Sequence, residues 1–146
     1  MKDNLQLMLN LQEDLQNKIA VEKPAYTRDF GMILGKDMSI LNLANFLLAQ
    51  KQSFDDEIQE LLQAIGGPDG NASWKYWKTA HEKLYQNGKR FSDLTKEEQY
   101  HAQEEMIDIL HFVFNMCLAL GLTSEQIFDI YFLKNKENIN RQEIKY

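Results

Sequence analysis

Apolar residues recur at helical spacing along most of the chain, and no segment shows the strict alternation of a half-buried strand. In the first helix, Leu5, Met8, Leu9, Leu11, Leu15 and Ile19 favour one side. Residues 21–36 read as a loop. The predicted helices cover, in chain order, about 3–20, 38–50, 53–66, 73–86, 95–120 and 123–143.

Polar residues and glycines mark the predicted helix ends. Ser53 is a candidate N-cap with Asp56 three residues later, and Thr95 and Thr123 begin two capping-box patterns. Gly66-Gly67 and Gly121 are helix-stop signals. The pattern predicts an all-α, bundle-like fold in one domain spanning residues 1–146.

The segment from Met106 to Leu120 is apolar except for Asp108, His111 and Asn115. With Glu105 and Phe112, these polar residues fall on one side of the predicted helix. A helix this apolar is expected to be buried, and a buried carboxylate must be paired, protonated or bound to a metal. This helix alone leaves a hydrogen-bond network or an ion pair with a lysine as an alternative to a metal site.

A second acidic segment, "FDDEIQELL", begins at Phe54. Phe54, Ile58 and Leu61 form a core stripe, with Glu57 at its edge and Glu60 adjacent on the same flank. Asp55 and Asp56 point elsewhere, as solvated charges or charges near a helix N-terminus. If the partner helix presents Glu105 and Asp108, four carboxylates meet, and Mg²⁺ or Mn²⁺ is the cation that such oxygen ligands favour.

Two further segments combine cations with polar or aromatic groups. One face of the last helix would bind a polyphosphate, or else be a solvated helix end; it carries Tyr131, Lys134, Asn135, Asn138, Arg141 and Gln142. The segment "SWKYWK" predicts either a phosphate-reaching lid or a helix that packs its tryptophans on the core; it contains Trp74, Lys75, Trp77 and Lys78. His81 and His101 carry no signal.

Composition narrows the possible partners. The 146 residues carry a net charge of −6, which argues against general binding to nucleic acids or membrane surfaces. The single cysteine, Cys117, cannot form an internal disulfide, so a reducing cytoplasm is expected. The weakly charged run 109–122 is too short to span a bilayer, and the N-terminus does not resemble a signal peptide.

Taken in order, these motifs resemble the all-α NTP pyrophosphatase superfamily. The resemblance rests on Glu57-x-x-Glu60, "WKYWK", Glu105-x-x-Asp108 followed by "HF", and "YFLKNKENINRQ". Within the superfamily the chain resembles the dimeric dUTPase-like group, and within that group the dCTP pyrophosphatase (dCTPase/dUTPase) family of T-even-type phages. The similar segments span most of the chain.

The resemblance implies hydrolysis of dCTP and dUTP, and of their diphosphates, to the monophosphate by a homodimer in the host cytoplasm. It implies Mg²⁺ bound by a catalytic set of Glu57, Glu60, Glu105 and Asp108. It places Lys134, Asn135, Asn138 and Arg141 on the phosphates and sugar. Gln12, the 74–78 segment and the His111-Phe112 pair would line a pocket sized for a pyrimidine.

Within this site, Glu57 is expected to polarise the attacking water and Glu60 to bridge metal ions, while Lys134 and Arg141 stabilise developing charge. A pyrophosphatase for purine or modified nucleotides would use the same chemistry with another pocket. Asp108-x-x-His111 also resembles one unit of a di-iron carboxylate bundle, although that class needs a second such unit. A non-catalytic helical interaction module is the remaining alternative.

Overall fold

The computed structural model describes residues 3–22, 35–65 and 90–144. Within these ranges it contains four α-helices and no strand, which confirms the all-α prediction. Short 3-10 helices at Gly35–Asp37 and Phe91–Asp93 come before the second and third α-helices. Most of the predicted loop at 21–36, the Gly66-Gly67 stop and the helix at 73–86 lie outside the described residues. The four helices are α1 (Asn4–Glu22), α2 (Ile40–Ala64), α3 (Lys96–Ala119) and α4 (Ser124–Glu143).

The chain divides into two compact units. The terminal unit comprises Met1–Phe46 and Phe114–Tyr146, and the middle unit comprises Leu47–Val113. The helices α2 and α3 each contribute residues to both units, whereas α1 and α4 belong to the terminal unit. The acidic residues singled out in the sequence all lie in the middle unit.

One continuous helix, α2, replaces the two helices predicted at 38–50 and 53–66. The N-cap prediction for Ser53 is wrong, because Ser53 is an interior and half-buried helical position. No glycine or proline interrupts this segment, and extending a helix costs less than nucleating a second one. Asp55 and Asp56 are therefore far from a helix N-terminus, and Asp55 instead pairs with Lys51 at 2.5 Å.

The predicted starts of α3 and α4 are confirmed by two capping boxes. The Thr95 amide donates to Glu98 Oε2 at 2.8 Å, and the Glu98 amide donates back to Thr95 Oγ1 at 3.2 Å. Thr123 and Gln126 exchange the same pair of bonds at 3.0 and 3.3 Å. Each box satisfies backbone donors that the first helical turn leaves unpaired.

Gly121 ends α3 in a left-handed conformation, with φ of 70°. Its amide donates to the Leu118 carbonyl, and the Leu122 amide donates to the Cys117 carbonyl, both at 2.9 Å. These two bonds form the Schellman arrangement that closes a helix C-terminus, as the sequence predicted. A β-carbon at position 121 would lie 2.7 Å from Cγ of Lys36.

The terminal unit has a small apolar core and a polar junction between helix starts. Phe46 and Ala119 are almost fully buried at the centre of the core. At the junction, Asp3 accepts hydrogen bonds from the Gln6 amide at 2.9 Å and from the Ser124 hydroxyl. These bonds, that of Ser124 foremost, lower the pKa of Asp3, so its charge joins the beginning of α1 to that of α4.

Helix α1 buries a different side from the one that its apolar residues predict. Leu9 is fully buried, but Gln12 and Gln16 are buried with it. Leu11 and Leu15, expected on the packed side, have 59% and 44% of their surface exposed. Helix α1 therefore buries two amides beside Leu9 and leaves Leu11 and Leu15 exposed.

Among the described residues, no single helix combines the length and the apolar composition needed to cross a membrane. Helices α3 and α4 pass that test only as a pair, with a 100° bend at the break between them.

Gly121→Ala should lower the free energy of unfolding by about 1–2 kcal/mol, because a side chain disfavours the left-handed conformation by that amount. Denaturant titration followed by circular dichroism measures the loss. The double variant with Lys36→Ala removes the close contact but not the backbone strain, so it should recover little stability. Full recovery would show that the contact with Lys36 sets the cost.

Candidate functional site

Three of the predicted ligand residues meet in the middle unit. Glu57 and Glu60 lie one turn apart on α2, and Glu105 lies on α3. One carboxylate oxygen from each lies within 4.8 Å of the other two. Three negative charges this close repel one another unless protons or cations compensate them.

Glu105 is the most buried member of this cluster, which we call the carboxylate cluster (Glu57, Glu60 and Glu105). Only 8% of its surface is exposed, and its Oε2 atom is buried with no hydrogen-bond partner among the described residues. Leaving such an atom unsatisfied costs free energy, more so when the group is charged. A bound cation would remove this cost.

Burial and neighbouring carboxylates raise the pKa of Glu57 above its ordinary value. Burial has the largest effect, followed by the charges of Glu60, Asp108 and Glu105. Glu57 is thus a stronger base than an ordinary exposed glutamate.

Asp108, the fourth predicted ligand, acts on Glu57 through its charge but is not one of the three clustered residues. Its Oδ1 lies 3.8 Å from Nδ1 of His111, and both side chains are about half exposed. Asp108 and His111 are therefore half exposed, on a helix whose apolar composition predicts burial on most sides. Phe112 is half-buried beside them in sequence.

Asn115, the third member of the stripe, is buried in the terminal unit among glutamines of α1. Gln12 Nε2 donates to Asn115 Oδ1 at 2.8 Å, and Asn115 Nδ2 donates to Gln16 Oε1 at 3.3 Å. Gln12, a predicted pocket residue, is thus held in a buried network of amides. For Asn115 the structure matches the alternative that the sequence left open, a hydrogen-bond network.

A cavity of about 470 Å³ adjoins the carboxylate cluster. It is lined by Glu60, Gln63, Ala64, His101 and Glu105. His101 was missed in the sequence, although it stands one helical turn before Glu105 on α3. Its Nδ1 lies 3.5 Å from Glu105 Oε1.

The predicted phosphate-binding face of α4 is exposed and internally paired. Lys134 Nζ donates to Glu137 Oε2 at 2.7 Å, and Arg141 Nη2 donates to Glu137 Oε1. The bond from Lys134 and the charge of Arg141 lower the pKa of Glu137. Asn135 and Asn138 are exposed on the same helix. Glu137 was missed in the sequence; its spacing of three and four residues from the two cations was the available signal.

Four predicted substrate-binding residues, Trp74, Lys75, Trp77 and Lys78, lie outside the described residues. Gln12 and the α4 residues belong to the terminal unit, and the carboxylate cluster belongs to the middle unit.

The chain is similar in sequence to phage proteins along nearly its whole length. It is 36% identical to a dCTP pyrophosphatase of Enterobacteria phage T4, over 99% of this chain and 84% of that protein. It is 35% identical to a dCTP pyrophosphatase of Enterobacteria phage LZ5, over 99% of this chain and 83% of that protein.

A DNA replication protein of phage T4 is 35% identical over 95% of this chain, which corresponds to 35% of that longer protein. No protein-family model matches the chain, and no solved structure matches it significantly. The identity and coverage shared with the two pyrophosphatases show that the chain belongs to the dCTP pyrophosphatase family of T4-like phages.

Proposed function

We propose that the chain hydrolyses dCTP and dUTP to the nucleoside monophosphate and pyrophosphate in a reaction that requires Mg²⁺ or Mn²⁺. Family membership supports the reaction class, since two relatives are named dCTP pyrophosphatase. The observation that carries the cation requirement is the buried Oε2 of Glu105, which has no hydrogen-bond partner among the described residues and lies beside two other carboxylates.

The carboxylate cluster fits a hard divalent cation. Carboxylate oxygens are preferred ligands of Mg²⁺ and Mn²⁺. Oxygens bound to one Mg²⁺ lie about 2.0–2.1 Å from the ion. Three oxygens already within 4.8 Å of one another thus need only small side-chain movements to share one. Glu57, Glu60 and Glu105 would hold the ion, with Asp108 adding negative charge nearby. A bound ion would neutralise phosphate charge and lower the pKa of a coordinated water.

Glu57 is our candidate for the base that accepts a proton from the attacking water. Its raised pKa makes its carboxylate a better proton acceptor than an exposed glutamate. As the water oxygen bonds to phosphorus, the phosphorus–oxygen bond to pyrophosphate breaks. Glu60, which is exposed and lines the cavity, would help to hold the ion.

Lys134 and Arg141 are our candidates for binding the phosphates, with Asn135 and Asn138 on the phosphates and sugar. Two cations share one carboxylate, so Lys134, Glu137 and Arg141 together keep one net positive charge. Glu137 also holds both long side chains on the same side of α4, which reduces the rotamer freedom that binding must remove. Gln12 would contact the base, oriented by Asn115.

We further propose that two copies associate. On α1, Leu7, Leu11 and Leu15 follow one another at four-residue spacing and are 44–59% exposed. An exposed stripe of large apolar residues is typical of an interaction surface. A second copy is the proposed occupant because the sequence resembles a dimeric group. Gln12 lies on the same helix, so dimerisation would stabilise the helix that carries the base contact.

Incubation with a panel of deoxynucleoside triphosphates and Mg²⁺ tests the reaction. We expect dCTP and dUTP to yield monophosphate and pyrophosphate, and excess chelator to stop turnover. Preferred hydrolysis of dATP or dGTP would contradict the pyrimidine assignment, and full turnover in chelator would contradict the cation requirement.

Glu105→Gln tests the cation site without relying on activity. The wild-type melting temperature should rise with added Mg²⁺, because binding stabilises the folded state by mass action. Glu105→Gln should lose most of this rise and remain at least as stable without cation, since it removes one of three repelling charges. The matched control is Glu104→Gln, the same charge change at an exposed neighbour. If both variants keep the wild-type rise in melting temperature with Mg²⁺, Glu105 has no role in binding the cation.

Lys134→Ala and Arg141→Ala should each lower kcat/KM for dCTP. The expected loss of transition-state stabilisation is about 1.5–3 kcal/mol, the range for a charge-assisted hydrogen bond. Lys136→Ala removes an exposed cation from the same helix and should have little effect. If all three variants lose activity equally, only the overall charge of α4 matters.

Leu11→Glu should favour the monomer, because it places a charge in the proposed apolar contact. Sedimentation equilibrium compares its mass with that of the wild type, and Lys18→Glu, on an exposed part of the same helix, is the control. A monomeric wild type at micromolar concentration would contradict the proposed homodimer.

A further inference from the structure

His101 lines the cavity beside the carboxylate cluster, and the proposed reaction gives it no role. It lies on α3 one turn before Glu105. Its side chain is 60% exposed, so packing does not explain its position. It lies beside Glu105, the most buried residue of the carboxylate cluster.

The two carboxylate oxygens of Glu105 have different surroundings. Oε1 lies 3.5 Å from His101 Nδ1, whereas Oε2 is buried without a hydrogen-bond partner among the described residues. The last torsion of a glutamate side chain is broad and has no strong preference of its own. A contact to one oxygen can therefore fix the orientation of the carboxylate and leave the other oxygen available for a cation.

We propose that His101 is a positioning residue for cation binding, which rests on the cation site proposed above. In this role the Nδ1–H group of its imidazole, 3.5 Å from Oε1 of Glu105 in the structure, moves closer to donate to that oxygen and fixes the plane of the carboxylate. Oε2 is then directed to the ion, together with Glu57 and Glu60. Removing a residue that orients a metal ligand in this way commonly lowers metal affinity by about 10–100-fold.

The alternative roles of His101 use its other nitrogen. As a direct ligand of the ion, or as a contact to a substrate phosphate, the imidazole would act through Nε2. Asparagine places its amide nitrogen where histidine has Nδ1, whereas glutamine reaches one bond further, towards the position of Nε2. The two substitutions therefore distinguish positioning from direct contact.

Binding of Mn²⁺ alone, measured by electron paramagnetic resonance in the absence of nucleotide, tests the proposal. His101→Ala should weaken Mn²⁺ binding by about 10–100-fold. His101→Asn should recover most of the affinity, and His101→Gln should not. Gln103→Ala, at an exposed position two residues away on α3, should bind as the wild type does.

Three results would overturn the proposal. Wild-type affinity in His101→Ala would show that His101 does not position Glu105. Rescue by glutamine but not by asparagine would assign the effect to Nε2 and thus to direct contact. Failure of the wild-type protein to bind Mn²⁺ would overturn the proposed cation site and this inference together. The first two results overturn only the role of His101, so the two failures are distinguishable. Circular dichroism checks that each variant is folded, as expected for an exposed side chain.

Discussion

The need to compensate the buried charge of Glu105 links the folding of the middle unit to its chemistry. Its Oε2 is withdrawn from water without a hydrogen-bond partner in the described part of the chain, next to Glu57 and Glu60. Each neighbouring carboxylate adds repulsion to this cost as long as it is charged. A proton or a cation at the cluster would lower this repulsion, so under the proposed function ligand binding and local stability rise together.

Short-range signals predicted the helix ends well, because each depends on a few adjacent residues. Thr95, Thr123 and Gly121 act as the sequence indicated. The break before Ser53 failed because a cap signal does not stop a helix whose propagation remains favourable. The spacing of acids predicted that four carboxylates meet, and the structure clusters three of them, without Asp108. His101 was missed because a histidine acquires meaning only from the carboxylate beside it.

Helix α1 shows why hydrophobic periodicity alone gave the wrong buried side. Periodicity identifies a side whose burial would be favourable, and it does not say what covers that side. Here the amides of Gln12 and Gln16 are buried against Asn115, while Leu11 is left exposed. Buried amides that satisfy one another tolerate little displacement, because each lost bond strands a polar group. The network can therefore hold Gln12 more rigidly than apolar packing would.

Helix α4 places a limit on how much of the proposed chemistry its cations can supply. Glu137 pairs with both Lys134 and Arg141, which organises them but cancels one of their two charges. A nucleoside triphosphate carries several negative charges, so a single net positive charge from exposed side chains leaves most of them uncompensated. The remainder has to come from elsewhere, and the carboxylate cluster cannot supply it without a cation because it is itself negative. Under the proposed function, therefore, the pairing on α4 makes the divalent cation more necessary, and the ion serves the substrate as well as Glu105.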